Sequence, residues 1–511
     1  MTARSRTVVI LLIAAAAAWL RTQNLFEPWV GSHNGWGGAM YGNIARNFLK
    51  YGYAGTRLGP VANFGTASED QFEFYYHHPP LLVWLVSIAF RLFGVHEWSA
   101  RLVPLGFSFA SLALVFVFAR RLYSERVALL ALAFASVMPV ENYYGSHLDP
   151  YGSVAVFFCL LAVYGYNRWR RERRAADLVL CNVAVLLGCM ASWYAYFLVP
   201  LLLAHDRLFA PPTGPAERRG TPLLWTTAAC ALAAFALFIV HRSVLSGAGN
   251  PEVAGSLLEK LTARTSYSRI GFRGARLSPG AFLILHSRDL MRLISPPLVG
   301  LVAAWLVLFA RDTIRRRLES RDGIVAVLLG YGALHTMAFP SAVSGHDYLV
   351  ACYAPGAALA AALVVTRSHA HLARMRGSRA AMRAAAAVVA IVLFGGVMLT
   401  QRCYWWDLGT IEATRSAREW GATVRRETNA TDMIFVPEEY DLVRSYYADR
   451  RLVFGVDTIE DLERSSPIRG GRAIFVCPPS AVDRLAVLRS ALAARSAPRF
   501  AGGLEFYDIV P

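Results

Sequence analysis

The sequence predicts a polytopic α-helical membrane protein that ends in a small α/β domain, and three observations support this fold class. Hydrophobic residues make up 55% of the 511 residues and charged residues only 17%, which is too apolar for an ordinary soluble globular chain. Arginines gather in short runs between apolar segments, as they do in cytoplasmic loops of membrane proteins. The segment after about residue 401 instead alternates short β-rich runs with helical patterns. The net charge of +17 therefore indicates membrane topology and makes nucleic acid an improbable partner.

The first element is the apolar run that follows a basic start in MTARSRTVVILLIAAAAAWL (1–20). A charged start and a short apolar core are also features of a cleaved signal peptide, and this alternative stays open. The many apolar segments that follow favour an uncleaved first helix. In both cases the N-terminus is predicted to be cytoplasmic, and residues from about 21 onward to lie outside.

Residues 80–94 decide the predicted topology. This apolar run is shorter than the roughly 20 residues that a helix needs to span about 30 Å of hydrocarbon. If it is a juxtamembrane helix at the outer surface, every later basic run becomes cytoplasmic, as the positive-inside rule requires. Those runs are RRLYSER, RWRRERR, AERRG, RDTIRRRLESR and RSHAHLARMRGSR. The sequence thus predicts about eleven membrane-spanning helices and a long first external loop over about 21–97.

The external segments hold the residues that can carry chemistry, because the predicted cytoplasmic loops are short and basic. We divide the chain into a transmembrane domain, 1–402, and an extracytoplasmic α/β domain, 403–511. In the second domain, DMIFVP, RLVFGV, RAIFVC and LEFYDIV are predicted strands, while EYDLVRSYYA and AVDRLAVLRSALAA are predicted helices. No glycine-rich loop follows any of these strands, so we interpret the domain as a packing or acceptor-docking module and not as a nucleotide-binding one.

Three external segments carry a family resemblance: YGNIARNFLKYGY (41–53), HHPPLLVWLVSIAFRLFGVHEWSARL (77–102) and HLDPYGSVAVFFCLLAVYGY (147–166). In this order the chain resembles the GT-C class of membrane glycosyltransferases, specifically the dolichyl-phosphate-mannose protein mannosyltransferase and aminoarabinose transferase group (family 39-like). The resemblance implies a GT-C fold in the inner (plasma) membrane. It also implies a hexosyl- or pentosyltransferase that moves a sugar from a polyprenyl-phosphate donor to an extracytoplasmic glycan, lipid or protein.

The family's catalytic acid is missing from its expected place. The resemblance implies an acidic pair a few residues before Tyr41, where this sequence has Gly37 and Gly38. His33, one turn upstream, is the nearest titratable group and is our first candidate for the base, because histidine accepts a proton near neutral pH. A carboxylate of the same loop is the alternative, and the candidates are Glu69, Asp70 and Glu73.

Other candidate residues lie before or between the apolar segments. His78 stands where the family has a lysine or histidine before two prolines, which implies contact with the donor phosphate, and His77 is a weaker candidate. Asp149 matches the family's second acidic position, although an aspartate before a proline also caps helices. The remaining candidates for substrate binding are Asn34, Tyr41, Arg269, Arg273, His346, Asp347 and Tyr348.

A divalent metal is conceivable but has no recognised spacing signature. The candidate ligands are His147, Asp149 and His346, which share the predicted outer face. Two other classes of protein remain open. A lipid-linked sugar transporter or flippase would ordinarily show repeats and midplane ionisable residues. A catalytically inactive GT-C-like binding protein would explain the missing acid.

Overall fold

The computed structural model describes residues 2–29, 33–209, 220–246, 259, 262–265, 277–464 and 472–509. Within these ranges the chain is mainly helical, with one small sheet near its C-terminal end. The helices are α1 Ala3–Arg21, α2 His33–Gly55, α3 Leu81–Phe93, α4 Glu97–Leu122, α5 Glu125–Ser136, α6 Pro139–Tyr143, α7 Ser153–Glu172, α8 Ala175–Ala191, α9 Tyr194–Leu208, α10 Gly220–Leu245, α11 Pro279–Leu293, α12 Pro296–Ile314, α13 Ser320–Ala338, α14 Pro340–Gly345, α15 Ala354–Arg376, α16 Ser378–Glu427, α17 Leu442–Ala448, α18 Ile459–Arg464 and α19 Ala486–Ala493.

Several of these helices are long and apolar enough to cross a membrane. Among the described residues, five pass a test of length and composition: Glu97–Leu122, Leu224–Leu245, Pro296–Ile314, Asp347–Arg376 and Ser378–Ile411. The pair Glu125–Ser136 and Pro139–Ser146 passes the same test together, with a bend of 61° between its halves. The chain therefore has the apolar helices of a multi-pass membrane protein, while the predicted number of about eleven spans stays a prediction.

The chain divides into two units, each built from separate segments. Unit 1 comprises Met1–Leu25, Tyr76–Leu85 and Arg101–Trp405. Unit 2 comprises Phe26–Tyr75, Val86–Ala100 and Trp406–Pro511. The predicted domain boundary after residue 402 falls inside the long helix α16 and stays a prediction.

Unit 1 packs its helices closely where small residues meet. On α7, a Cβ atom at Gly165 would lie 2.9 Å from the backbone nitrogen of Cys181 on α8. Small residues allow membrane helices to approach in this way. At the first turn of α13, a polar cluster joins three helices: the Nε2 atom of His205 lies 2.9 Å from the Ser320 carbonyl oxygen, and its Nδ1 atom lies 2.8 Å from the Tyr166 hydroxyl.

Unit 2 contains a five-stranded sheet in the order β2-β1-β3-β5-β4. The strands are β1 Met433–Phe435, β2 Arg451–Val453, β3 Ala473–Cys477, β4 Arg499–Ala501 and β5 Leu504–Ile509. The first three are parallel, and β5 pairs antiparallel with both β3 and β4. Strand β3 is buried along its whole length, since apolar clusters cover both faces of the sheet.

Helix α2 of the first loop belongs to the same unit as this sheet. Asp449, which follows α17, pairs with Arg46 at 3.0 Å and with Lys50 at 2.9 Å. The Arg46 guanidinium also lies 4.8 Å from the centre of the Tyr446 ring. Burial alone would raise the pKa of Asp449, but the two cations hold it below its ordinary value.

Most predicted elements are confirmed, with corrections in the C-terminal segment. Residues 80–94 form a separate short helix, Leu81–Phe93, as expected. The four predicted strands and two predicted helices after residue 401 are present. Strand β4 and helix α18 were not predicted, because three and six residues are too few to establish a periodic pattern.

Candidate functional site

The first part of the candidate site in unit 1 is the His-His-Pro-Pro segment before α3. The prolines at 79 and 80 are buried, and their fixed φ angles restrict the backbone just before the helix begins at Leu81. His78 is half-buried, and its ring lies edge-on against Tyr151 with 5.1 Å between ring centres. His77 is held through its carbonyl oxygen, which accepts a hydrogen bond from the Trp193 indole nitrogen at 3.3 Å.

One arginine and three other histidines affect the electrostatics of His78. Burial lowers the pKa of His78 well below 6.5, and the nearby Arg264 guanidinium and the His77, His346 and His335 imidazoles lower it further. The ring is therefore neutral at pH 7 and offers an N–H donor, while Arg264 supplies the permanent charge. Arg269 and Arg273 lie outside the described residues.

Asp149 forms a tight turn with the backbone of Tyr151. Its carboxylate accepts a hydrogen bond from the Tyr151 backbone N–H at 2.7 Å, and its own carbonyl accepts from Gly152 at 3.0 Å. This turn leaves Asp149 only 2% exposed. The Tyr151 ring in turn contacts Tyr194 and His335, with 4.8 and 5.4 Å between ring centres. Asp149 and His78 therefore contact the same residue, Asp149 at the Tyr151 backbone and His78 at the Tyr151 ring.

Asp347 is the centre of a second polar group in unit 1. It accepts a hydrogen bond from the Tyr144 hydroxyl at 2.7 Å and forms an ion pair with Arg292 on α11. The Tyr348 ring packs against Tyr144 at 5.8 Å. His346 donates from Nδ1 to the Ala342 carbonyl oxygen at 2.7 Å. All three residues of the predicted His-Asp-Tyr segment thus lie in unit 1 with His78.

The metal prediction is not supported among the described residues, where no three His, Cys, Asp or Glu side chains are placed to hold one ion. The His147 ring packs on Tyr143 and Tyr144, with 4.7 and 4.9 Å between ring centres. Asp149 and His346 each use side-chain atoms for the backbone hydrogen bonds described above.

The remaining predicted site residues belong to unit 2. His33 begins α2, but its side chain lies outside the described residues. Asn34 is buried, and the Tyr41 hydroxyl lies 3.1 Å from that of Tyr75. A Cβ atom at Gly38 would lie 2.0 Å from the Trp29 ring, so that indole occupies the space that a side chain at this position would need.

Sequence reasoning missed Tyr151, Tyr194 and His335 as parts of the site. Tyrosine in an apolar helix gives no signal, since it packs in any core. His335 did give a signal in the sequence, because a histidine in an otherwise apolar helix of a membrane protein is unusual and often functional.

A family model and one relative each match about a third of the chain. A family model described as dolichyl-phosphate-mannose-protein mannosyltransferase matches residues 77–241, which include His78 and Asp149. An uncharacterized protein of Aquifex aeolicus (strain VF5) is 26% identical over 166 residues, which span 32% of this chain and only 30% of that protein.

Solved structures cover much more of the chain. ArnT from Cupriavidus metallidurans bound to undecaprenyl phosphate has a TM-score of 0.66 and 14% identity, with 98% of each chain covered. AglB, the oligosaccharyltransferase of Archaeoglobus fulgidus, in complex with an inhibitory peptide and a dolichol-phosphate has a TM-score of 0.60 and 12% identity, with 94% of this chain and 71% of that chain covered. The predicted resemblance is therefore confirmed: residues 77–241 match the mannosyltransferase family model, and the fold of the chain is similar to those of ArnT and AglB.

Proposed function

We propose that the protein transfers a sugar from a polyprenyl-phosphate donor to an acceptor on the extracytoplasmic face of the inner membrane. The observation that carries this proposal is the grouping in unit 1 of His78, Asp149 and Arg264, which supply a hydrogen-bond donor, a carboxylate and a permanent cation. The likeness to a fold that binds undecaprenyl phosphate in ArnT supports a lipid-phosphate donor.

In the proposed reaction, Asp149 takes the proton from the acceptor hydroxyl as its oxygen attacks the anomeric carbon of the sugar. The bond between that carbon and the phosphate oxygen breaks, and its electron pair leaves with the polyprenyl phosphate. Arg264 and the N–H of His78 stabilise the negative charge that grows on this leaving group. Asp347 is less suited to accept the proton, because Arg292 already pairs with it. His33 stays the alternative base.

We further propose that about eleven helices span the membrane, with the N-terminus cytoplasmic and the C-terminal α/β segment outside. The proposed spans are α1, α4, the bent pair α5 and α6, α7, α8, α9, α10, α12, α13, α15 and α16. This order places His78, Asp149, Arg264 and Asp347 on one side of the membrane. The proposal gives α3 no span, since its 13 residues are too short.

The test uses purified protein and radiolabelled undecaprenyl phosphate carrying mannose or aminoarabinose. We expect the wild type to consume at least one of these donors, and Asp149→Asn to transfer sugar at least ~10²-fold more slowly because a neutral amide cannot take the proton. Asp312→Asn is the matched control, because Asp312 pairs with Arg311 at the predicted cytoplasmic end of α12, and this variant should keep the wild-type rate. Donor that is bound but never consumed would contradict the enzymatic proposal, whereas an Asp149→Asn rate within about threefold of wild type would exclude Asp149 as the base.

A further inference from the structure

His335 is a buried histidine that the proposed reaction does not use. It lies in the last turn of α13 and is only 1% exposed. Within the described part of the chain, neither of its ring nitrogens has a hydrogen-bond partner. Burying an imidazole without partners costs free energy, so a histidine at this position requires a reason other than packing.

Two other buried side chains of unit 1, His205 and Tyr331, can be compared with His335. His205, which packs at the opposite end of the same helix, is also buried, yet both of its nitrogens have partners in Tyr166 and Ser320. Tyr331, one turn before His335, is also buried, and its hydroxyl has no partner among the described residues. The two side chains without partners therefore occur together, near the end of α13 that approaches the candidate site.

Aromatic rings surround His335. Those of Tyr194, Phe339, Tyr151 and Phe197 lie 4.6, 5.2, 5.4 and 5.6 Å from its ring centre. Tyr151 is shared with His78, so His335 lies one aromatic ring away from the proposed phosphate-binding histidine. The C–H bonds of a sugar ring carry slight positive charge and pack favourably on aromatic faces, while its hydroxyls both donate and accept hydrogen bonds, as a neutral imidazole does.

We propose that His335 is a sugar-binding residue, whose ring nitrogens hydrogen-bond to hydroxyl groups of the sugar on the lipid-linked donor. The inference rests on the proposed function, because it assigns the sugar-recognising part of that same site. In this arrangement Arg264 and His78 hold the phosphate, and His335 with its aromatic neighbours discriminates between sugars.

The test is His335→Phe, which fits an aromatic environment and removes both nitrogens. We expect the variant to melt at the wild-type temperature or above it, because it removes a buried polar group without partners. We expect its Kd for undecaprenyl phosphate to stay within about twofold of wild type, and its kcat/KM for the sugar-bearing donor to fall at least ~10-fold. His335→Asn, which keeps hydrogen-bonding groups, should recover part of the loss.

The controls separate this inference from the proposed function. His205→Phe should lower the melting temperature, because it breaks the hydrogen bonds to Tyr166 and Ser320. A His335→Phe protein that melts lower or fails to fold would show a structural histidine and overturn the inference. A variant that keeps the wild-type preference for sugar-bearing over bare undecaprenyl phosphate would also overturn it. A wild-type protein that binds none of these lipids would instead overturn the proposed function.

Discussion

Asp449 illustrates how single charged residues stabilise unit 2. It contacts both Arg46 and Lys50, and its side chain is only 11% exposed. Its pKa lies below the ordinary value of about 3.9, so the folded state keeps the carboxylate ionised more readily than the unfolded state does. The stabilisation it contributes is therefore complete above about pH 4 and is lost as the pH falls through the folded-state pKa.

We expect Asp449→Asn to lower the free energy of unfolding by roughly 1–3 kcal/mol at pH 7, because two cations lose their counter-charge. The difference from wild type should shrink as the pH falls below about 4. Thermal melts in detergent between pH 3 and 7 would measure this. Asp457→Asn is the control, since Asp457 pairs with Arg484 at a more exposed site and should show a small difference. If the difference in melting temperature between Asp449→Asn and wild type stayed constant down to pH 3, the stabilising role assigned to the Asp449 carboxylate would be contradicted.

Single residues also show which parts of the candidate site can be predicted from the sequence. His78, Asp149 and Asp347 were predicted because the family resemblance implies polar residues at these positions. The aromatic cluster beside His78 was not predictable, since Tyr151, Tyr194 and His335 come from three separate segments of the chain. The contact at Gly38 was not predictable either, because the Trp29 ring that fills the space beside it lies nine residues earlier in the chain.

At the scale of elements, the close contact between helices α7 and α8 depends on Gly165, because glycine has no side chain. At Gly165 a Cβ atom would meet backbone atoms of α8: the Cys181 nitrogen at 2.9 Å and the Asp177 oxygen at 3.1 Å. Backbone atoms cannot rotate away, so the helices would have to separate. Gly300 on α12 has no atom within 4 Å of the corresponding position.

We expect Gly165→Ala to destabilise the protein by about 1–3 kcal/mol through overpacking. Gly300→Ala should be neutral or slightly stabilising, because alanine favours helix where nothing obstructs it. Melting temperatures of the two variants in the same detergent would test this difference. If Gly165→Ala melted at or above the temperature of Gly300→Ala, close packing of α7 on α8 would be refuted.

Helices and strands were predictable where their pattern was long enough. The short length of α3 and the basic ends of the apolar runs are visible in composition alone. Strand β4 was missed because its three residues, RFA, carry no alternation. It forms because the turn at Gly502 and Gly503, both with positive φ, brings the chain back to pair with β5.

For the whole molecule, the proposed topology makes a direct prediction. A cysteine at Arg120, in the basic run that begins in the last turn of α4, should be protected in intact cells from a thiol reagent that cannot cross the membrane. A cysteine at Glu69, which is exposed in the first loop, should react. Both are introduced into a cysteine-free background, because Cys230 and Cys403 are partly exposed. Labelling at Arg120 together with protection at Glu69 would reverse the proposed orientation.

The division of unit 2 into distant segments has a consequence for how the protein is made. Its segments 26–75 and 86–100 leave the ribosome roughly 300 residues before the segment that begins at Trp406. At about 5–20 residues per second, this delay lasts on the order of 15–60 s. Throughout that time the Trp29 indole lacks the Tyr446 ring that it later contacts, and Arg46 and Lys50 lack Asp449. We therefore expect newly made chains that stop before residue 442 to be recognised by chaperones or proteases through these segments.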